Sequence, residues 1–185
     1  MPIVVGVPRR GFLKKGVLGG VLLLGAGSVP IALRRTKVRT PPQGELRLLS
    51  REEHAIFAAV AARVVPGDGA PPAWPTAEAL DCAGKADQLL ARCHPEVGKE
   101  FKQLLALFEN GLVALVTTGR PTPFTRLGAK EQDARLDAWR RSRVSVLRTG
   151  YQALSRLAHA TYFASPEVYA LVGYPGPPMV PGGAR

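Results

Sequence analysis

Few side chains in this sequence have the chemistry to hold a metal or move a proton. The histidines are His54, His94 and His159, and the cysteines are Cys82 and Cys93. No His-x-x-x-His, His-Glu-x-x-His or Cys-x-x-Cys spacing brings two ligands onto one helix face, as a zinc site on a helix requires. A surface or capping role is therefore the reading for each histidine. A Cys-x-x-Cys-His haem attachment, a phosphate-cradling glycine loop and a Gly-x-Ser-x-Gly elbow are also missing. Pro66-Gly67-Asp68-Gly69 carries a single carboxylate and reads as a helix-stopping turn. If one helix runs through Cys82 and Cys93, their α-carbons stand about 16 Å apart, against the roughly 7 Å that a disulfide tolerates. Two half-buried thiols are expected. The sequence thus offers no catalytic residue, no metal ligand and no cofactor site of its own.

Two stretches have the composition of contact surfaces. Arg135, Arg140, Arg141, Arg143, Arg148 and Arg156 form a basic cluster in which Asp133 and Asp137 interleave. It is either a solvated face with i, i+4 ion pairs or a docking surface for an acidic partner, with Arg140 and Arg141 as candidates. The second stretch crowds Tyr162, Phe163, Tyr169, Leu171, Val172 and Tyr174 before the rigid Pro175-Gly176-Pro177-Pro178. Such a tail either folds over its own core or lays aromatic anchors and preformed extended backbone on another protein. Tyr162, Phe163, Tyr169, Tyr174, Pro175 and Pro177 are its candidate partner-binding residues.

The chain begins with a different signal. Arg9-Arg10-Gly11-Phe12-Leu13-Lys14 precedes a glycine-rich apolar run from Gly16 to Leu33. Adjacent arginines, an aromatic, a leucine and a lysine ahead of a mildly hydrophobic segment look like a twin-arginine export signal. That places the remainder in the periplasm, folded before it crosses and associated with the inner membrane. Gly16, Gly19, Gly20, Gly25, Gly27 and Pro30 weaken the run as a permanent anchor. Whether the signal is cleaved or kept stays open.

Charge follows the same division. The formal net charge is +11, from 25 Lys and Arg against 14 Asp and Glu. Eight of the cations, Arg9 to Arg39, precede every acidic residue, so the rest carries 17 against 14, a net of +3. A basic tail beside an apolar run suits targeting and anionic lipid, and the nearly balanced remainder does not suit nucleic acid.

What must position these groups is helical. Residues 1–40 read as the signal, 41–48 as a linker containing Pro41-Pro42-Gln43-Gly44, 49–164 as the domain, and 165–185 as a short helix and extended tail. Ser50 and Glu53 form a capping box for a first helix from Arg51 to about Val65. Thr76 caps a second reaching about Cys93. Pro95 opens a third, in which Val97, Phe101, Leu104, Leu105, Phe108, Leu112 and Leu115 keep one stripe as far as Thr118. Phe124 and Leu127 are expected to pack inward from a loop. A fourth helix spans about Ala129 to Arg141 and a fifth about Ser142 to Ala164, before Ser165-Pro166 starts a short last one. No alternating strand pattern occurs. The fold class is all-α, a bundle of about five helices.

The run from Tyr162-Phe163-Ala164-Ser165-Pro166-Glu167-Val168-Tyr169 to Gly173-Tyr174-Pro175-Gly176-Pro177-Pro178 resembles the C-terminal signature of the gluconate 2-dehydrogenase subunit 3 family. Leu49-Ser50-Arg51-Glu52-Glu53 and Ala62-Arg63-Val64-Val65-Pro66-Gly67-Asp68 sit where that family has its first helix and proline turn. The resemblance implies a small helical subunit without its own cofactor, bound to a large FAD-dependent dehydrogenase of the glucose-methanol-choline (GMC) type. It implies that the partner is helped to mature and escorted folded through the twin-arginine route, and that a cytochrome c subunit often completes the complex. No catalytic residue carries over. A stand-alone exported helical protein, enzymatic or membrane-associated, is the alternative.

Overall fold

The computed structural model describes residues 36–67 and 74–176, among which there are helices and no strands. The first helix, α1 (Arg51–Val64), starts as its capping box requires. The Glu53 N–H donates to Ser50 Oγ at 3.1 Å and the Ser50 N–H donates to Glu53 Oε2 at 2.7 Å. Ile56, Phe57, Val60 and Ala61 form its buried stripe, and α1 packs against the second, third, fifth and sixth helices.

Two expected helices are each broken once. The second is α2 (Cys82–Ala91), and Thr76 caps only a turn before it, with the Ala79 N–H on its hydroxyl at 3.1 Å. Asp81 ends that turn in the left-handed region, at φ 47, and its carboxylate accepts the Gly84 N–H at 3.1 Å. A short acid that satisfies the orphan donors of a new helix competes with continuing the old one. The stripe expected from Pro95 to Thr118 likewise divides into α3 (Pro95–Glu109) and α4 (Gly111–Thr118). Asn110 leaves the helical region at ψ 125 and accepts the Leu112 N–H at 2.8 Å. Leu112 and Leu115 therefore do not continue the buried stripe of α3, and Leu115 is exposed.

The rest follows its periodicity. Phe124 and Leu127 are buried from a 3-10 turn (Phe124–Arg126), α5 is Ala129–Arg140, and α6 is Ser145–Phe163. The start of α6 lies three residues beyond the expected Ser142, whose hydroxyl instead accepts the Val144 N–H at 3.1 Å. Pro166 opens α7 (Pro166–Tyr169), followed by a 3-10 turn (Ala170–Val172).

The core centres on Phe108, with the Phe124 ring 4.7 Å away and the Trp139 ring edge-on at 4.7 Å. Gly150 permits α6 to lie against this cluster, because a Cβ there would meet Leu104 Cδ1 at 2.7 Å and Trp139 Cζ3 at 2.9 Å. An ion pair ties α1 to α5, with Arg63 Nε and Nη2 on Asp133 Oδ1 and Oδ2, each at 2.8 Å. Among the described residues no helix is long and apolar enough to cross a membrane.

Candidate functional site

The segment ahead of α1 is extended, as its prolines require, and it is strapped to the domain. The Lys37 N–H donates to Thr125 Oγ1 at 2.9 Å, Arg39 Nη2 to the Leu127 carbonyl at 3.3 Å, and Gln43 Nε2 to the Glu78 carbonyl at 3.1 Å. Its last residues converge on one buried carboxylate. The N–H groups of Arg47, Leu48 and Leu49 reach Asp87 at 2.7, 2.9 and 2.7 Å. Burial pushes the Asp87 carboxyl up, but these three donors and nearby His54 outweigh it and hold the group below the ordinary carboxylate value.

At its other end the strap meets Glu109, the last residue of α3. This buried carboxylate accepts the Thr125 N–H at 3.1 Å and the Thr125 hydroxyl at 2.5 Å, and the Thr36 side chain also bonds to it. Burial still raises its carboxyl above the ordinary value.

The strap also roofs a cleft of about 140 Å³ over α1 and the start of α2. His54 lines this cleft at 1% exposure, and neither of its ring nitrogens has a hydrogen-bond partner. A surface or capping role was the expectation, and burial overturns it for this residue. His54 is the fourth residue after the capping Ser50, and nothing local signals the strap that covers it. Burial lowers the imidazole below its usual value despite the nearby carboxylates of Asp81 and Asp87, so at neutral pH the ring is uncharged.

The remaining expected residues separate by burial. His94 caps α3, its Nδ1 accepting the Glu96 N–H at 3.3 Å. His159 Nδ1 lies 2.7 Å from the Ser155 carbonyl, and its ring stacks 6.0 Å from Phe163 at an interplanar angle of 9°. Both cysteines are free thiols, but they are not alike: Cys82 is buried, which raises its thiol, and Cys93 is exposed. Among the described residues no group of three or more His, Cys, Asp and Glu side chains is placed to hold a metal.

The basic face loses Arg135, which is buried on the inner side of α5 and donates to the Thr122 carbonyl at 2.8 Å near Glu109. Asp133 turns away to Arg63 of α1. Arg140 and Arg141 remain exposed and share Asp137, at 2.7 and 3.0 Å.

The aromatic tail resolves into an inward and an outward half. Tyr162 is fully buried, its hydroxyl donating to the Pro75 carbonyl at 2.7 Å, so it belongs to the core and not to a docking face. Val168 is buried with it. Outward lie Phe163 at 38% exposure, Tyr174 at 46%, Leu171 and Val172. Tyr169 is half-buried, bonds the Ala164 carbonyl through its hydroxyl at 3.1 Å and meets the Tyr174 ring edge-on at 5.2 Å. Pro175 is exposed.

Sequence reasoning missed the groove beside this end of α6, where Leu89, Ala160 and Ala164 form an apolar floor of a hollow of about 230 Å³ flanked by Lys85 and Arg92. A leucine next to Arg92 on the outer face of a short helix was its one available sign. The export-signal residues Arg9, Arg10, Phe12, Leu13 and Lys14, together with Asp68 and Pro177, lie outside the described residues.

No curated protein and no solved structure matches the chain. The family model described as gluconate 2-dehydrogenase subunit 3 matches residues 51–176, from the first residue of α1 to the glycine that ends the outward aromatic cluster. With α1, the core and the C-terminal end all inside that span, the chain belongs to the gluconate 2-dehydrogenase subunit 3 family.

Proposed function

We propose that this chain is the non-catalytic small subunit of a dehydrogenase complex, and that it binds a large FAD-dependent subunit of the GMC type. It helps that subunit mature and escorts it, already folded, through the twin-arginine route to the periplasmic side of the inner membrane. Arg9 and Arg10 are the residues the export machinery reads. FAD belongs to the partner, and a cytochrome c subunit completes electron transfer.

The observation that carries this reading is the outward half of the C-terminal end. Phe163, Leu171, Val172 and Tyr174 are large apolar groups left exposed together at one end of the fold, and rigid aromatic anchors of this kind dominate protein interfaces. The adjacent hollow between α2 and α6 adds an apolar floor with Lys85 and Arg92 at its edge, which suits a partner segment that places a carboxylate beside apolar side chains.

Purification of the tagged full chain from its native cells, with an absorbance scan for flavin, tests the proposal. A yellow complex containing a large subunit without its own export signal is expected, and Arg9→Lys with Arg10→Lys strands both proteins in the cytoplasm. A colourless chain exported alone overturns it.

A further inference from the structure

The cleft under the strap is separate from the proposed docking face, and its chemistry is of another kind. Ala55, Ala58, Ala59 and Ala62 lie along one face of α1 at helical spacing and line it with methyl groups. Its volume of about 140 Å³ is close to that of an apolar cavity known to accept a benzene ring. The charges around it cancel: Lys37 and Arg39 come from the strap, Glu78 and Asp81 from the turn before α2. Against this shelf stands His54, with both ring nitrogens unsatisfied and covered, so that a turn of the ring is what brings either one to face the cleft. Buried polar atoms are ordinarily paired, and leaving one unpaired costs on the order of 1–3 kcal/mol.

We propose that the cleft is a binding site for a small uncharged amphipathic group, with a ring-sized apolar body on the alanine shelf and a hydroxyl that exchanges a hydrogen bond with His54. A neutral imidazole offers one donor and one acceptor, so a hydroxyl, which is both, satisfies either nitrogen. A cation or an anion is disfavoured, because the rim charges cancel and leave nothing to offset the hydration it would forfeit in an alanine-lined space. The group is either a free molecule or the tip of a tyrosine-like side chain, and the strap lies over it in both cases.

Phenol is the probe. It is titrated into the full-length chain with isotope-labelled histidine, and the ring resonances of His54, His94 and His159 are followed by NMR. Saturable shifts confined to His54 are expected. Ala58→Leu, which fills the shelf and leaves the imidazole in place, weakens binding at least tenfold, and His54→Gln weakens it without closing the cleft. Repeating the titration on the chain in complex with its co-purified partner separates the sources. Phenol still binding identifies a free-ligand site, whereas phenol excluded, with His54→Gln loosening the complex, identifies a partner side chain. Absence of a saturable His54 shift in the free chain, or equal shifts at all three histidines, overturns the proposal.

Discussion

The carboxylate of Asp87 accepts the backbone N–H of Leu49 at 2.7 Å, joining the end of the strap to the middle of α2 across 38 residues of sequence. The same group also takes the N–H of Arg47 and Leu48, so one ionised side chain fixes the chain's entry into α1. Hydrogen bonds to a charged group contribute about 1.5–3 kcal/mol each, and an amide offers a single acceptor oxygen plus a donor that faces N–H groups. Asp87→Asn therefore costs at least about 2 kcal/mol, measured by denaturant unfolding, and amide exchange at Leu48 and Leu49 accelerates.

Asp87 also sets an acid limit. Its folded-state value is held below the ordinary one of 3.8, so the stability it supplies is present above the unfolded value and lost as pH falls through the folded one. Glu109 has the opposite sign. Its value is raised above 4.5, so its contribution is present below the unfolded value and lost as pH rises through the folded one. Glu109→Gln removes that loss, and the slope of unfolding free energy against pH becomes more positive above pH 4.5 than in the unsubstituted chain. An unchanged slope in that window would show that Glu109 is not shifted.

Gly150 sits where two effects oppose. Alanine favours a helix interior over glycine by about 1 kcal/mol, but the new methyl would meet Trp139 Cζ3 at 2.9 Å and Leu104 Cδ1 at 2.7 Å. Leu104 can rotate away. The Trp139 ring is fully buried against Phe108 and cannot, and overpacking of this kind costs about 1–3 kcal/mol. Gly150→Ala is therefore expected to lower the melting temperature, and a rise would mean that the Trp139 cluster yields.

The distribution of legible and illegible features follows from range. Ser50 and Glu53, or Pro95 and Pro166 at helix starts, act within four residues, and the sequence carries the whole of their cause. The apolar stripes of α1 (Ile56, Phe57, Val60) and α6 (Leu147, Tyr151, Leu154, Ala158, Tyr162) are equally readable from their spacing. Asn110 and Asp81 break helices through their own side chains; Asn110 lies inside an apolar stripe that continues across it, so periodicity outvotes its capping signal, whereas Asp81 lies among small residues that give no sign of a break. His54, Arg135 and the choice of Tyr162 as a docking candidate depart from the structure for another reason. Each is polar or amphipathic, and what buries it is contributed by a distant segment: the strap over His54, the Thr122 carbonyl for Arg135 and the Pro75 carbonyl for Tyr162. The exposed half of the aromatic tail could be located only once the inward half had been assigned.

Neighbouring Tyr162 and Phe163 point to opposite fates and so separate folding from docking. Tyr162→Phe removes the donor to the Pro75 carbonyl from a fully buried ring, which costs about 1–2 kcal/mol of stability and leaves assembly nearly unchanged in a chain that remains folded. Phe163 is 38% exposed, so Phe163→Ser alters unfolding little. If the outward cluster is the docking face, that substitution removes an anchor worth about 2 kcal/mol or more, and recovery of the flavoprotein with the tagged chain falls by roughly thirtyfold at limiting concentration. Arg140→Ala, beside an aspartate already shared with Arg141, changes recovery far less. Equal losses from Phe163→Ser and Tyr162→Phe would instead place both residues in the fold alone, and the interface would have to lie elsewhere.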